Sequence, residues 1–247
     1  MKVTAYKTHK ITVGEDIYEI LDRYLPKLSD GSVVAIASKI ISFCQKDVIK
    51  KENGLEKRDL IPHETDYYLG NDYKMTYNQI ISIKNHTLTA SGGIDESNGD
   101  GYFILWPKNL QQITNHIWKY LRKKHKIQNL GVIVTDSRTT PLRWGVTGIS
   151  LSWCGFEPLK NYIGEPDIYG QIMQTEKTSI VDSLATVATV VTGEGNEQQP
   201  LAVIEDINFV QFQSHVPTEK EIKDLQIDTK DDLFEPLLNS VKWEKGK

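Results

Sequence analysis

Two short stretches of this chain place small carboxylates where chemistry is usually done. Ala90 to Asn98 reads Ala-Ser-Gly-Gly-Ile-Asp-Glu-Ser-Asn, and some forty residues later Val134 to Arg138 reads Val-Thr-Asp-Ser-Arg. Asp95 and Asp136 each stand among glycines or hydroxyls beside an apolar run. Carboxylate and hydroxyl oxygens suit hard divalent cations such as Mg²⁺ or Mn²⁺, which in turn hold the phosphates of a nucleotide. The pattern therefore predicts a metal-dependent enzyme that uses a nucleotide.

Each signal also has a plainer reading. Gly, Asp, Asn and Ser crowd surface turns for backbone reasons alone, so Asp95 and Asn98 are equally the residues of a turn. Asp136 and Ser137 follow a buried strand, where sheets open onto ligand crevices, but an N-cap or turn Asp gives the same sequence. Arg138 and Arg143 are each either a bidentate grip for carboxylate or phosphate or a solvated charge. Thr192-Gly193-Glu194-Gly195 after an apolar helix is a C-cap, or a place where backbone approaches phosphate while Glu194 offers an oxygen. The phosphate-loop, dinucleotide, nucleophile-elbow and zinc-protease motifs are absent from the sequence.

The elements that must carry these residues follow from periodicity. Ile17, Ile20, Leu21, Tyr24 and Leu25 give a helix ending at Pro26; Ser32 to Ser38 is a short β-branched run that reads as a buried strand and delivers Ser38 and Lys39. Residues 47–78 show weak periodicity and suggest one helix over Lys57 to Tyr68. Ile80 to Leu88 and Gly101 to Trp106 read as strands on either side of the Asp95 loop, and Leu110 to Leu121 as a helix closed by the basic tract Lys119 to Lys126. Leu130 to Val134 reads as a strand delivering Asp136, Pro141 to Gly148 as a loop, and Glu157 to Gly170 as irregular chain. Ile180 to Val191 has helical spacing, Leu201 to Ile204 is a last strand, and the acidic tail begins at Pro217. Strands and helices mix without a regular βαβ repeat, which predicts an α+β fold with a mixed sheet.

Composition bounds the function classes. A chain of 247 residues, 39% hydrophobic, can bury a full core. Its net charge of −4 and pI near 5.9 argue against a nucleic-acid partner. Cys44 and Cys154 form no zinc-ligand spacing, which fits a reducing cytoplasm. The sequence shows neither a signal-peptide pattern nor an apolar stretch approaching the roughly 20 residues that span a bilayer.

Taken together, four blocks resemble the coenzyme F-420:L-glutamate ligase family, which adds γ-linked glutamate to a deazaflavin precursor. Val33 to Ser42 is similar to the family's apolar strand with its following Lys, and Ala90 to Asn98 to its Ala-Asn-Ala-Gly-Ile-Asp-x-Ser-Asn. Asp136 to Gly170 carries Asp-Ser, Pro-Leu-Arg-Trp-Gly and Gly-Glu-Pro-Asp-Ile-Tyr-Gly, and Val181 to Gly193 leads into a stretch resembling the phosphate-binding Met-Gly-x-Gly. The resemblance implies one family domain over residues 1–215 with a tail, 216–247, packed on it. It implies a homodimer using GTP and two divalent cations, with L-glutamate and the deazaflavin precursor, or another carboxylate, as small-molecule substrates. By the same resemblance Asp95, Asp136, Ser137 and Glu194 hold the metals, and Asp95, Asp136 and Arg143 are the catalytic residues. Ser38, Lys39, Asn98, Thr8, His9 and the segment 192–199, with Thr192, Gly193, Glu194 and Gly195, line the nucleotide. Two departures stand out: Phe43, Cys44 and Gln45 replace a second Lys and its Glu-Gly, so a phosphate contact is missing unless Lys46 supplies it, and Glu194 adds negative charge near the metals. The first of these is what a homologue that binds nucleotide without catalysis would show.

Overall fold

In this computed structural model, which describes residues 1–52, 54–73 and 77–247, the chain builds a three-layer core and a smaller sheet beside it. The order of elements is β1 (Lys2–Tyr6), α1 (Ile17–Tyr24), β2 (Ser32–Ala37), α2 (Ser38–Gln45), β3 (Val48–Lys50), α3 (Lys57–Glu64), β4 (Tyr67–Leu69), β5 (Ile81–Lys84), β6 (Thr87–Ala90) and β7 (Tyr102–Ile104). Then come α4 (Leu110–His125), β8 (Leu130–Thr139), β9 (Val146–Cys154), β10 (Leu159–Asn161), β11 (Lys177–Ser179), α5 (Ile180–Thr192), β12 (Leu201–Glu205), α6 (Glu219–Asp224), α7 (Glu235–Leu238) and β13 (Trp243–Lys245).

The main sheet has the order β1-β12-β2-β8-β9. Only β2 and β8 run parallel; the other neighbours are antiparallel, so the sheet is mixed and the fold α+β, as the sequence predicts. Both faces are covered, which explains why β2, β8 and β12 read as continuous apolar runs rather than alternating ones. Val34, Ile36, Val132, Val134, Leu201 and Val203 pack against α1, α2 and α4 on one side. Val33, Ala35, Ile133, Ala202 and Ile204 pack against α5 on the other. Alternate residues of one strand thus serve two cores.

The smaller sheet, β13-β4-β5-β6, covers a third cluster of Leu60, Ile61, Ile80, Ile94, Phe103 and Leu105, shared with the β3–β7 pair. Its outer strand comes from the chain's C-terminal end: β13 pairs with β4, and the Gly246 amide donates to the Asp66 carbonyl.

Five expectations need correction. The helix over Lys57 to Tyr68 ends at Glu64, and Tyr67 to Leu69 become β4, because aromatic β-formers meet the partner strand β13. The single strand over Ile80 to Leu88 is a hairpin: Asn85 and His86 both adopt left-handed backbone (φ 49 and 56), the two-residue turn that matches strand twist. The loop over Pro141 to Gly148 is shorter, since β9 starts at Val146, and Leu159 to Asn161 form β10 within the stretch read as irregular. Lastly, Asp136 does not follow β8 but lies inside it, beyond an irregularity between Val134 and Thr135 and opposite Ile149.

Helix α5 tests the layering. Leu184 is buried in the core on the sheet, whereas Val190 is 78% exposed. Leu184→Ala should cost about 2–5 kcal/mol, and Val190→Ala should stay within about 0.5 kcal/mol of the unaltered protein. Urea denaturation measures both, and equal losses would mean that α5 does not pack on the sheet by this face.

Candidate active site

The site forms where β2 and β8 leave the sheet core. β2 turns directly into α2 at Ser38, with Ala37 as N-cap, so the first amides of this helix receive no side-chain cap. An uncapped helix N-terminus presents several N–H groups and a positive dipole end, which suits an anion. Ser38 is buried there, and Lys39 points its ammonium away from the helix to Asp95 Oδ2 at 2.7 Å. The same ammonium donates to the Ser97 carbonyl at 2.7 Å and the Ser97 hydroxyl at 3.2 Å.

Asp95 is placed by its own backbone, which bridges Ile104 in both directions, N to O at 2.9 Å and O to N at 2.8 Å. Its Oδ1 accepts from the amides of Glu96 at 2.6 Å and Ser97 at 2.8 Å, and from the Ser97 hydroxyl at 2.9 Å. Burial pushes the Asp95 carboxyl up, but the Lys39 charge and the bonds from Lys39 and Ser97 outweigh it and hold the group below its usual range. Three residues on, Asn98 takes left-handed backbone (φ 52), which Asn tolerates, and donates from Nδ2 to the Gly195 carbonyl at 2.9 Å. That bond ties the Asp95 loop to the segment after α5.

Asp136 meets different surroundings. Its Oδ1 accepts from the Ser137 amide at 2.8 Å and its Oδ2 from the Trp106 indole N–H. Burial raises its carboxyl to about 6; the Ser137 and Trp106 bonds and Lys39 pull downward, and the Asp95 charge pushes up. Ser137 and Lys39 draw the Glu194 carboxyl down, but burial first, and then Asp95 and Glu197, raise it. The Asp95 charge thus bears on both Asp136 and Glu194, and Lys39 on all three.

The segment 192–199 closes this end. Gly193, at φ 79, ends α5, and the Gly195 amide donates to the Glu197 carboxylate at 2.8 Å. A side chain at Gly193 would meet that carboxylate: its Cβ would fall 2.4 Å from Glu197 Cδ. Thr192 only bonds back to Thr189 within the helix, at 3.3 Å. Thr8 joins the segment, its amide donating to the Gln198 carbonyl at 3.0 Å and its carbonyl accepting from Gln198 Nε2 at 2.5 Å. His9 instead gives its ring to Tyr24 and Glu15, both at 2.7 Å.

Asp95, Asp136, Ser137, Glu194, Lys39, Asn98 and the 193–195 loop thus come together. Arg143 stands apart, on the exposed β8–β9 hairpin, and makes no ion pair among the described residues. Phe43 is buried, and Lys46 caps the far end of α2 with its side chain against Gly14, seven positions from Lys39, or about 10 Å of helix. Lys46 therefore does not take the place of a lysine at 43. Sequence reading also missed Trp106, which reads as an ordinary strand residue, and the Lys51 and Lys57 pairs to Glu96 at 2.9 and 3.3 Å.

Among the described residues no three carboxylate, thiol or imidazole groups close on one point as a cage. The donor set nevertheless fits a hard cation of the Mg²⁺ type, which keeps several waters or substrate oxygens and takes one or two carboxylates from the protein. Asp136 and Glu194, with Ser137 beside them, supply such oxygens, and the cost of ionising both under burial and the Asp95 charge is what a cation would relieve.

This strain has a sign that can be measured. Asp136 ionises less readily in the folded chain than in the unfolded one, about 6 against 3.8, a difference worth about 3 kcal/mol. The folded state therefore loses stability as pH rises from about 4 through 6, and the penalty is complete above that. In chelator, Asp136→Asn should melt on the order of 5 °C higher than the unaltered protein at pH 8, with the gap narrowing toward pH 4. A lower melting temperature at pH 8 would make Asp136 a structural carboxylate.

Comparison with known proteins gives this cluster a family. A sequence model described as F420-0:Gamma-glutamyl ligase matches residues 6–206, from the end of β1 past β12 and across every residue of the cluster. Among similar proteins, the "Coenzyme F420:L-glutamate ligase" of Methanocaldococcus jannaschii is 30% identical over 79% of this chain and 83% of its own length. Proteins of the same name from Methanococcus maripaludis, 29% identical over 83% of this chain and 87% of the relative, and Methanothermobacter thermautotrophicus, 27% over 78% and 84%, also match. The chain belongs to the F420-0:gamma-glutamyl ligase family.

Proposed function

We propose that this chain is a GTP-dependent ligase that joins L-glutamate to the carboxylate of a phosphorylated deazaflavin precursor, with Mg²⁺ or Mn²⁺ at Asp95, Asp136, Ser137 and Glu194. The observation that carries this reading is the meeting of those oxygens with an uncapped helix N-terminus and a glycine loop at one end of the sheet. The α2 amides at Ser38 and Lys39 and the backbone of Gly193 to Gly195 would receive phosphate oxygens, and Asn98 would hold the two loops in register around them. When bound, the cations would neutralise charge that develops on the transferred phosphoryl group.

The γ-phosphoryl passes from GTP to a carboxylate oxygen of the acceptor, leaving GDP and an acyl phosphate. The glutamate amine then attacks the acyl carbon, the amide bond forms, and phosphate departs. For these steps the chain mainly positions the reactants and excludes water, and Asp95 would exchange its ion pair with Lys39 for the cation, which would free the ammonium for a phosphate oxygen. Arg143, out on its hairpin loop, would grip a carboxylate or phosphate of a substrate.

We also infer a homodimer. Leu142, Trp144, Ile168 and Tyr169 are each at least 85% exposed, apolar surface that a second copy would cover. Sedimentation velocity should give about twice the 28.1 kDa chain mass, and a monomer at micromolar concentration would end that inference.

Calorimetry and mass spectrometry test the main reading. GTP should bind at least tenfold more tightly with Mn²⁺ than in chelator, and Asp136→Asn should lose most of that gain; equal affinity in both conditions would remove the metal-bridged assignment. With GTP, Mn²⁺, L-glutamate and the deazaflavin precursor, product should appear one glutamyl unit heavier, with GDP and phosphate released. GTP and metal binding without that product would redirect the reading to another carboxylate acceptor.

A further inference from the structure

Asp136 is the carboxylate of the cluster that an indole holds. Asp95 is paired with Lys39 at 2.7 Å, and Glu194 feels Ser137 and the Lys39 charge. Asp136 instead receives the indole N–H of Trp106, a donor that does not ionise and accepts nothing in return. The indole is 6% exposed and closely seated. Gly93 lies against it so tightly that a Cβ there would fall 2.3 Å from its Cε2 and Nε1. On its face stands Lys84 Nζ, 5.6 Å from the ring centroid, itself fixed to Glu64 at 2.9 Å.

We propose that Trp106 is a positioning residue for the metal-binding carboxylate of Asp136. This rests on the reading of Asp136 as a metal ligand. A carboxylate that must ligate a cation has to keep its negative charge and one rotamer. An ammonium in the place of Trp106 would fix the rotamer but compete with the cation for the charge. The indole occupies one lone pair of Oδ2, the Ser137 amide one of Oδ1, and the remaining lone pairs stay available. Because Trp106 follows β7 and is wedged by Gly93 and the Lys84–Glu64 pair, the smaller sheet fixes a ligand carried by the larger one. Partners that orient a metal ligand in this way typically contribute 10–100-fold to metal affinity.

Trp106→Phe keeps an aromatic ring and removes the N–H. With GDP present, its Mn²⁺ affinity by calorimetry should fall about 10-fold or more, and turnover lost at limiting Mn²⁺ should return when Mn²⁺ is raised. Trp153→Phe is the control, since Trp153 is also buried and donates its indole N–H, to the Phe156 carbonyl at 3.1 Å, in the core on α5; it should lower the melting temperature and leave Mn²⁺ affinity unchanged. Equal Mn²⁺ affinity in Trp106→Phe and the unaltered protein would overturn the positioning role alone. An unaltered protein that takes up no Mn²⁺ would overturn the metal reading and this inference with it. A measurement on the unaltered protein guards against a misfolded variant: of the 5 tryptophan indole ¹⁵N–¹H signals, Mg²⁺ with GDP should shift one, and trace Mn²⁺ should broaden that same one. If no indole signal responds, the proposal fails.

Discussion

Carboxylates held out of water close to one another are the constraint on which this structure turns. Burial first and the Asp95 charge after it raise Asp136 and Glu194, and the Lys39 ammonium draws all three carboxyls down. In water such a group would scatter. Here each carboxylate hangs from a different element, and each element is fixed by contacts of its own: β8 by packing between two cores, the Asp95 loop by its backbone bridge to β7, and Glu194 by the end of α5. Packing energy from elsewhere in the molecule thus maintains a local arrangement that electrostatics alone would disperse.

The topology explains why the cluster lies at this end of the sheet. β2 and β8 are parallel neighbours, so their C-terminal ends emerge side by side, and one continues into α2 while the other runs on as a bent extension paired with β9. An exposed helix start and an extended strand bearing Asp136 and Ser137 are placed next to each other by this one parallel pair. The antiparallel strands around it, β12 above all, return the chain so that residues 192–199 arrive at the same edge. The Pro200 carbonyl accepting from the Ala37 amide at 2.9 Å is the local expression of that return.

What could be read in advance depended on whether the deciding contact was local. The continuous apolar runs of β2 and β12 and the apolar stripe of α5 announce themselves because burial acts residue by residue along one element. Asp95 and Asn98 were legible because their backbone needs a turn whether or not a ligand is bound. By contrast β4 lies between β5 and β13, the latter arriving from more than 170 positions later, and nothing in Tyr67 to Leu69 specifies that partner. The Asn85–His86 turn was hidden for another reason: it is flanked closely by β-formers on both sides, and its two left-handed residues carry no glycine. Within the site, the same division separates the oxygen ligands, which chemistry picks out by type, from Trp106, whose role depends on a strand thirty residues away and on the clearance at Gly93.

That division also bears on the Phe43 departure. Read along the chain, a lysine missing at this position looks like a lost phosphate contact, and Lys46 like its substitute. In three dimensions Phe43 points into packing, and a lysine there would bury an ammonium with no acidic partner provided by α2. The helix has instead kept its cation at its first turn, where Lys39 already meets Asp95, and left its amides uncapped. With the dipole end and the glycine loop both available, the proposed phosphate site would draw its positive potential from backbone donors rather than from a second side chain, and under that proposal the absence of a lysine at 43 is a difference in how the anion would be held.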